Sequence, residues 1–262
     1  MAELEIRKGA IDPSSCVSEG WELIKPNYLL FFGMTFVMLL ISFLISLIPY
    51  IGEIINIFIS GPLLCGIYMA LIAKTRGGEP NFSMLFEGFS RFLPAVLLTL
   101  IGMIPWLIIA LTVFLFSSVS ANPQVAENLQ TPDLSAVFAQ FTPFLIVSYL
   151  IAFLVSLAIQ ILLFFALPLV AEHNLNVVDA VKLSISAAMG NIGGIIVLII
   201  FEILLALVGF LALCIGFLFV MPVIYAANII AYKSVFPSNQ QTRYDGPPRP
   251  DSYGFNYGAP QE

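Results

Sequence analysis

IGGIIVLIIFEILLALVGFLALCIGFLFVMPVIYAANIIAY, from Ile192 to Tyr232, is 41 residues long and carries one charge, Glu202. A helix needs about 20 apolar residues to cross a hydrocarbon core of about 30 Å, so this stretch is read as two spans folded back between Gly209 and Gly216. Four more uncharged apolar runs precede it: Tyr28 to Ile48, Ile54 to Ala73, Leu93 to Phe116 and Phe144 to Val170. The fold expected is all-α, a polytopic membrane bundle of six transmembrane helices over 28–48, 54–73, 93–116, 144–170, 192–211 and 214–234.

Composition agrees with that reading. Hydrophobic residues make up 60% of the 262 and charged residues 10%, against about a quarter charged in soluble domains. Too few polar residues are present to cover such a core, so lipid is the missing solvent. The six spans form a membrane domain at 13–236, between an N-terminal cytoplasmic segment at 1–12 and a tail at 237–262. Glu3, Glu5, Arg7, Lys8 and Asp12 occupy the start, where a cleavable secretory leader would need an apolar core.

The ten basic residues set the expected orientation. Arg7, Lys8, Lys25, Lys74, Arg76, Arg91, Lys182, Lys233, Arg243 and Arg249 all fall on one side of a six-span chain. The opposite connections, Pro49 to Glu53, Ser117 to Thr142 and Gly209 to Gly216, hold none. Basic residues stay on the cytoplasmic side, so both termini are expected there.

The connections on the basic side repeat a pattern. Asp12 and Pro13 open a short amphipathic helix with Val17, Trp21 and Ile24 on one face. Asn81 caps a second, with Phe82, Leu85, Phe86 and Phe89 at helical spacing, and Asn176 with Asp179 opens a third bearing Val178, Val181 and Ile185. Each precedes a hairpin whose second helix contains a proline: Pro62, Pro168 or Pro222. The chain reads as three copies of one unit, an interfacial helix followed by a transmembrane hairpin, packed about an axis along the membrane normal. The competing reading is that any six-span protein has some amphipathic connectors.

The runs Gly20-Trp21-Glu22-Leu23-Ile24-Lys25-Pro26-Asn27, Gly61-Pro62-Leu63-Leu64-Cys65-Gly66-Ile67-Tyr68 and Leu85-Phe86-Glu87-Gly88-Phe89 resemble an uncharacterised bacterial family of six-helix integral membrane proteins. That family is similar to the membrane domain of glycerophosphodiester phosphodiesterases and, more distantly, to YciC-like inner-membrane proteins. The resemblance extends over residues 14 to 236. It implies a bacterial cytoplasmic (inner) membrane and a six-helix fold, and it brings no activity.

Few residues offer chemistry. Glu202 lies within a span, where a carboxylate is costly enough to suggest function; the alternative is a neutral carboxyl bonded to a neighbouring helix, with Gln160 and Asn228 as its candidate partners. Pro62, Pro168 and Pro222 mark either broken helices at a transport site or ordinary bends. Tyr68, Tyr225, Tyr232 and Trp21 fit interfacial belts. His173 has too few companions for a metal site and reads as part of a solvated helix end. Cys16, Cys65 and Cys214 read as small apolar residues, neither disulfide nor metal set.

The loop from Ser117 to Thr142 has Leu134, Val137, Phe138 and Phe141 on one helical face, read as a short helix on the outer leaflet. The tail has the composition of a disordered segment, and its Pro247-Pro248-Arg249-Pro250 run suits a protein partner with an aromatic groove. No catalytic constellation, cofactor motif or nucleic-acid signal stands out. Two functions remain open: a non-catalytic protein that organises or assists partners at the membrane through its body and tail, and a transporter or lipid-handling conduit built around Glu202.

The orientation is testable with single cysteines in a cysteine-free background. Glu127→Cys is expected to react with an impermeant thiol reagent from outside, and Arg76→Cys and Arg243→Cys only after permeabilisation. Outside labelling at position 243 contradicts six spans.

Overall fold

The computed structural model describes residues 5–49, 51–120, 134–211 and 215–237. The described chain is all-α. Its helices are α1 (Pro13–Ile24), α2 (Tyr28–Ser46), α3 (Ile51–Thr75), α4 (Met84–Glu87), α5 (Phe92–Gly102), α6 (Ile104–Ser120), α7 (Leu134–Leu162), α8 (Ala166–His173), α9 (Val177–Met189), α10 (Ile192–Leu211) and α11 (Ile215–Val235). Among the described residues, six helical stretches are long and apolar enough to cross a membrane: Pro13–Ser46, Ile51–Thr75, Met84–Gly102, Ile146–His173, Ile192–Leu211 and Gly216–Val235. The protein is accordingly a multi-pass membrane protein, its apolar helices facing lipid.

Local chemistry sets the helix starts on the basic side. The Asp12 carboxylate accepts from the Ser14 backbone N–H at 3.1 Å and from the Ser14 and Ser15 hydroxyls, each at 2.8 Å, capping α1. Those hydrogen bonds, from Ser15 and then Ser14, hold its carboxyl below the usual carboxylate range. Asn176 caps α9 by accepting from Asp179 N–H at 3.0 Å and donates to the Asp179 carboxylate at 2.7 Å. Asn81 Oδ1 accepts from Met84 N–H at 3.3 Å, but α4 is one turn long and continues as a 3-10 turn, Gly88–Arg91.

The apolar faces grouped from the sequence are only partly the faces that pack on the bundle. In α1 the buried residues are Cys16, Gly20 and Ile24, and Trp21 is exposed. In α4 and its extension, Leu85 and Gly88 are buried, and Phe82, Phe86 and Phe89 are exposed. In α9, Ala180, Ser184, Ala187 and Ala188 are buried, while Val178 is 59% exposed and Ile185 is also exposed. Apart from Ile24 and Leu85, the buried positions are held by small residues, and several large apolar side chains face outward. Lipid tails are as apolar as leucine, so a large side chain gains little by turning inward, whereas a small one lets backbones meet.

Two expected spans are interrupted. The run at 93–116 breaks at Met103, between Gly102 and Pro105, into α5 and α6; the eleven residues of α5 alone rise only about 16 Å. The run at 144–170 breaks over Leu163–Phe165 into α7 and α8. Pro168 accounts for that break, since it has no N–H for the Phe164 carbonyl and its ring collides with the preceding turn. The segment read as a separate outer-leaflet helix forms the first turns of α7. Glu127, Asp133, Cys214 and the tail from 238 lie outside the described residues.

The packing follows a cyclic rule. Helix α4 and the turn after it lie on α3, α9 lies on α7 and α8, and α1 lies on α11. Each interfacial helix thus rests on the second span of the preceding hairpin, and the first rests on the last. Approach is close at these joints: a Cβ on Gly88 would stand 2.0 Å from the Pro62 carbonyl oxygen, and one on Gly20 would stand 2.7 Å from Ala227 N. The first spans follow suit, α5 packing on α3 and α2 on α11, whereas α10 barely touches α7. That third seam is the loosest.

If close backbone approach holds the ring, Gly88→Ala should cost about 1–3 kcal/mol, the usual cost of overpacking. Gly193→Ala, where a Cβ meets nothing within 4 Å, should be neutral or slightly stabilising. Thermal unfolding in one detergent compares them, and equal melting temperatures would contradict the packing argument.

Candidate functional site

The broken span leaves backbone groups that the interior must satisfy. Ser184 of α9 does so: its hydroxyl donates to the Leu162 carbonyl at 2.8 Å and accepts from Phe165 N–H at 3.1 Å. Around the break, Leu163 N–H donates to Ile159 O and Ala166 N–H to Leu163 O, each at 2.9 Å. A single buried hydroxyl thereby bridges α7 and α8, and the irregular backbone lies beside open space as membrane proteins require.

That space is a cavity of about 410 Å³ bordered by α3, α5, α7, α10 and α11. Leu163, Phe164 and Ala166 from the break line it. Its polar groups are Ser60, Tyr68, Thr99, Gln160, Glu202 and Asn228, contributed by α3, α5, α7, α10 and α11. A second cavity of about 310 Å³ occupies the loose seam, between α7 and α10 and against α11. It is lined mainly by apolar side chains, including Phe153, Leu157, Ile203 and Phe217, and all four of these except Leu157 are also exposed at the lipid-facing surface. The two cavities share Gln160, Ile199 and Glu202.

Glu202, Gln160 and Asn228 therefore border one space. They are not joined into a satisfied cluster: Glu202 Oε1 and Asn228 Oδ1 are both buried without a hydrogen-bond partner. Asn228 lies against the Tyr68 phenol, which meets Tyr225 edge to face with ring centroids 6.1 Å apart. Neither cavity is lined by a lysine, arginine or histidine. Pro62, Pro168 and Pro222 are buried in α3, α8 and α11 and line neither cavity; Pro62 presents its carbonyl to Gly88, and Pro168 breaks the helix.

The basic side is closed by a feature that the reading of His173 passes over. The neighbouring Glu172 is no solvated helix end, for its side chain is 3% exposed and accepts from Arg76 Nη2 and Lys233 Nζ. Glu172 ends α8, Arg76 follows α3 and Lys233 lies in the last turn of α11. One carboxylate thus joins the ends of the three second spans. His173 Nε2 lies 3.7 Å from Glu172 Oε2, and Asn174 ends α8 in a left-handed conformation at φ 54°. Above this clasp, Leu71, Leu169, Val170 and Tyr232 are essentially inaccessible.

Asn191 was also missed by the sequence reading. It is 3% exposed, accepts from Ala10 N–H at 3.0 Å and donates to the Arg7 and Ala187 carbonyls, each at 2.9 Å. With Arg7 N–H donating to Val235 O at 3.0 Å, it holds the segment before α1 across the ends of α9 and α11. Cys16 and Cys65 are buried free thiols, and among the described residues no three His, Cys, Asp or Glu side chains group as metal ligands.

Compared with known proteins, the chain matches no family model, no curated protein and no solved structure. Any functional reading therefore stands on the site itself.

Replacing Glu172 by Gln leaves Lys233, whose side chain is 16% exposed, without its counter-charge. Breaking a buried pair in this way costs about 3–5 kcal/mol. Thermal unfolding of Glu172→Gln should show a loss at the lower end of that range, because Arg76 is half exposed. A change under about 1 kcal/mol, the size usual for surface pairs, would mean that the clasp contributes little.

Proposed function

We propose that this protein is a non-catalytic, lipid-handling conduit that admits an amphipathic molecule sideways from the bilayer and seats its polar end at Glu202. The observation that carries the reading is the junction of two unlike cavities at that residue. The outer one is apolar and lies in the seam between α7 and α10; the inner one has polar groups from five helices. An amphiphile has the same division. Its chain would remain among Phe153, Leu157, Ile203 and Phe217 while its head moves to Gln160, Glu202 and Asn228. A broken helix beside a mid-membrane carboxylate is an arrangement that substrate pathways use.

The apolar lining disfavours ions and polar solutes, which need rows of polar groups along the whole path, and an amphiphile avoids that difficulty. The alternative of a protein that merely organises partners asks for a closed bundle, and Glu202 borders open space instead. The placement of all ten basic residues, together with the family resemblance, supports a bacterial cytoplasmic membrane with both termini inside.

A long-chain alcohol carrying a diazirine, photolysed in nanodiscs with the full chain, tests the seam. Saturable labelling is expected in residues 153–160, 199–206 and 217–224. Ala206→Trp, which places an indole in the seam cavity, should reduce it severalfold. Labelling spread over all lipid-facing helices in proportion to their exposure would contradict the proposal.

A further inference from the structure

The inner cavity is unbalanced in its hydrogen-bonding groups. Two buried oxygens that accept no hydrogen bond, Glu202 Oε1 and Asn228 Oδ1, belong to residues on its wall. Among the described residues, no cationic side chain lines either cavity. What these two oxygens lack is a donor that reaches them, and preferably a positively charged one, because a carboxylate in a low-dielectric interior is stable only when paired.

From this imbalance we infer that the ligand is a lipophilic primary amine, carried as its ammonium form, with Glu202 as its counter-charge. The inference rests on the conduit reading and narrows it to one headgroup chemistry. An ammonium has three N–H donors and no acceptor, enough to serve Glu202 Oε1 and Asn228 Oδ1 with one left for Gln160 or Tyr68. A hydroxyl head has one donor and leaves one of the two oxygens unpaired. A phosphate head brings negative charge to a wall that already carries the Glu202 carboxyl and, among the described residues, has no cation to receive it, at a large desolvation cost. The tail meets only apolar side chains in the seam.

The full-chain protein in nanodiscs of zwitterionic lipid, with empty nanodiscs as background, provides the test. Labelled dodecylamine and labelled dodecanol are titrated separately at neutral pH, with dodecyltrimethylammonium and dodecyl phosphate as competitors. Dodecylamine should bind saturably and more tightly than dodecanol. The trimethyl compound, which keeps the charge but has no N–H, should compete less well, and dodecyl phosphate should not compete. Glu202→Gln should weaken dodecylamine binding by about tenfold or more, the size of one charge-assisted contact, and leave dodecanol binding within about twofold.

The headgroup comparison on the unaltered protein stands even if the variant proves unstable, which its thermal unfolding would reveal. Equal binding of amine and alcohol, or equal competition by the trimethyl compound, would overturn the ammonium assignment and leave the conduit standing. Saturable binding of neither labelled compound would overturn both.

Discussion

Lipid does not push helices together. Hydrocarbon chains solvate a leucine as well as a protein core does, so association in the bilayer depends on close backbone approach and on leaving no polar group unpaired. Most of the architecture follows from that constraint. Gly20, Gly66 and Gly88 stand where a Cβ would meet another helix's backbone at 2.7 Å, 2.1 Å and 2.0 Å. Ala180, Ala187 and Ala188 are buried on the packed face of α9, while Phe86, Phe89 and Val178 are exposed. Ser184 satisfies both sides of the broken span, and Asn191 satisfies the N-terminal segment. Where charge cannot be avoided, Glu172, Arg76 and Lys233 meet at one point.

The same constraint explains which parts of the fold were legible in the sequence. Six apolar stretches could be counted directly, because length and lack of charge are properties of the chain alone. Helix starts at Asp12 and Asn176 were also legible, since a cap acts within three residues. The buried faces of the amphipathic helices were not: hydrophobic periodicity identifies the core side when water is the alternative, and here the alternative is lipid. The sequence reading could group Trp21 and Val178 on apolar faces but not say what covers them, and the bundle packs against Gly20 and Ala180. The break at Met103 escaped notice because an apolar run looks the same on both sides of an interruption, whereas Pro168 had marked span four for a break or a bend.

The site was legible in part. Glu202, Gln160 and Asn228 stood out as polar residues within spans, but nothing in one sequence tells which helices are neighbours. Their common cavity comes from the way the third unit fails to close tightly on the second. Glu172 was passed over because a carboxylate at a helix end is ordinary; its partners lie 96 and 61 residues away in the chain. The functional asymmetry has a covalent origin. The middle unit carries the long connection and the broken helix, and it is at this unit's edge that the ring parts.

Because α1 rests on α11, the order of synthesis matters. Helix α1 finds its seat only when α11, which follows it in the chain, has been made, and the segment before α1 is held by Asn191 and Val235. The joint between α4 and α3, by contrast, is complete while the chain is still short. Assembly therefore begins with a local pair and ends with a long-range closure, and long-range contacts carry the largest loop-closure cost and form slowly. A chain stalled before α11 leaves Cys16 and Gly20 of α1 without the helix on which they pack.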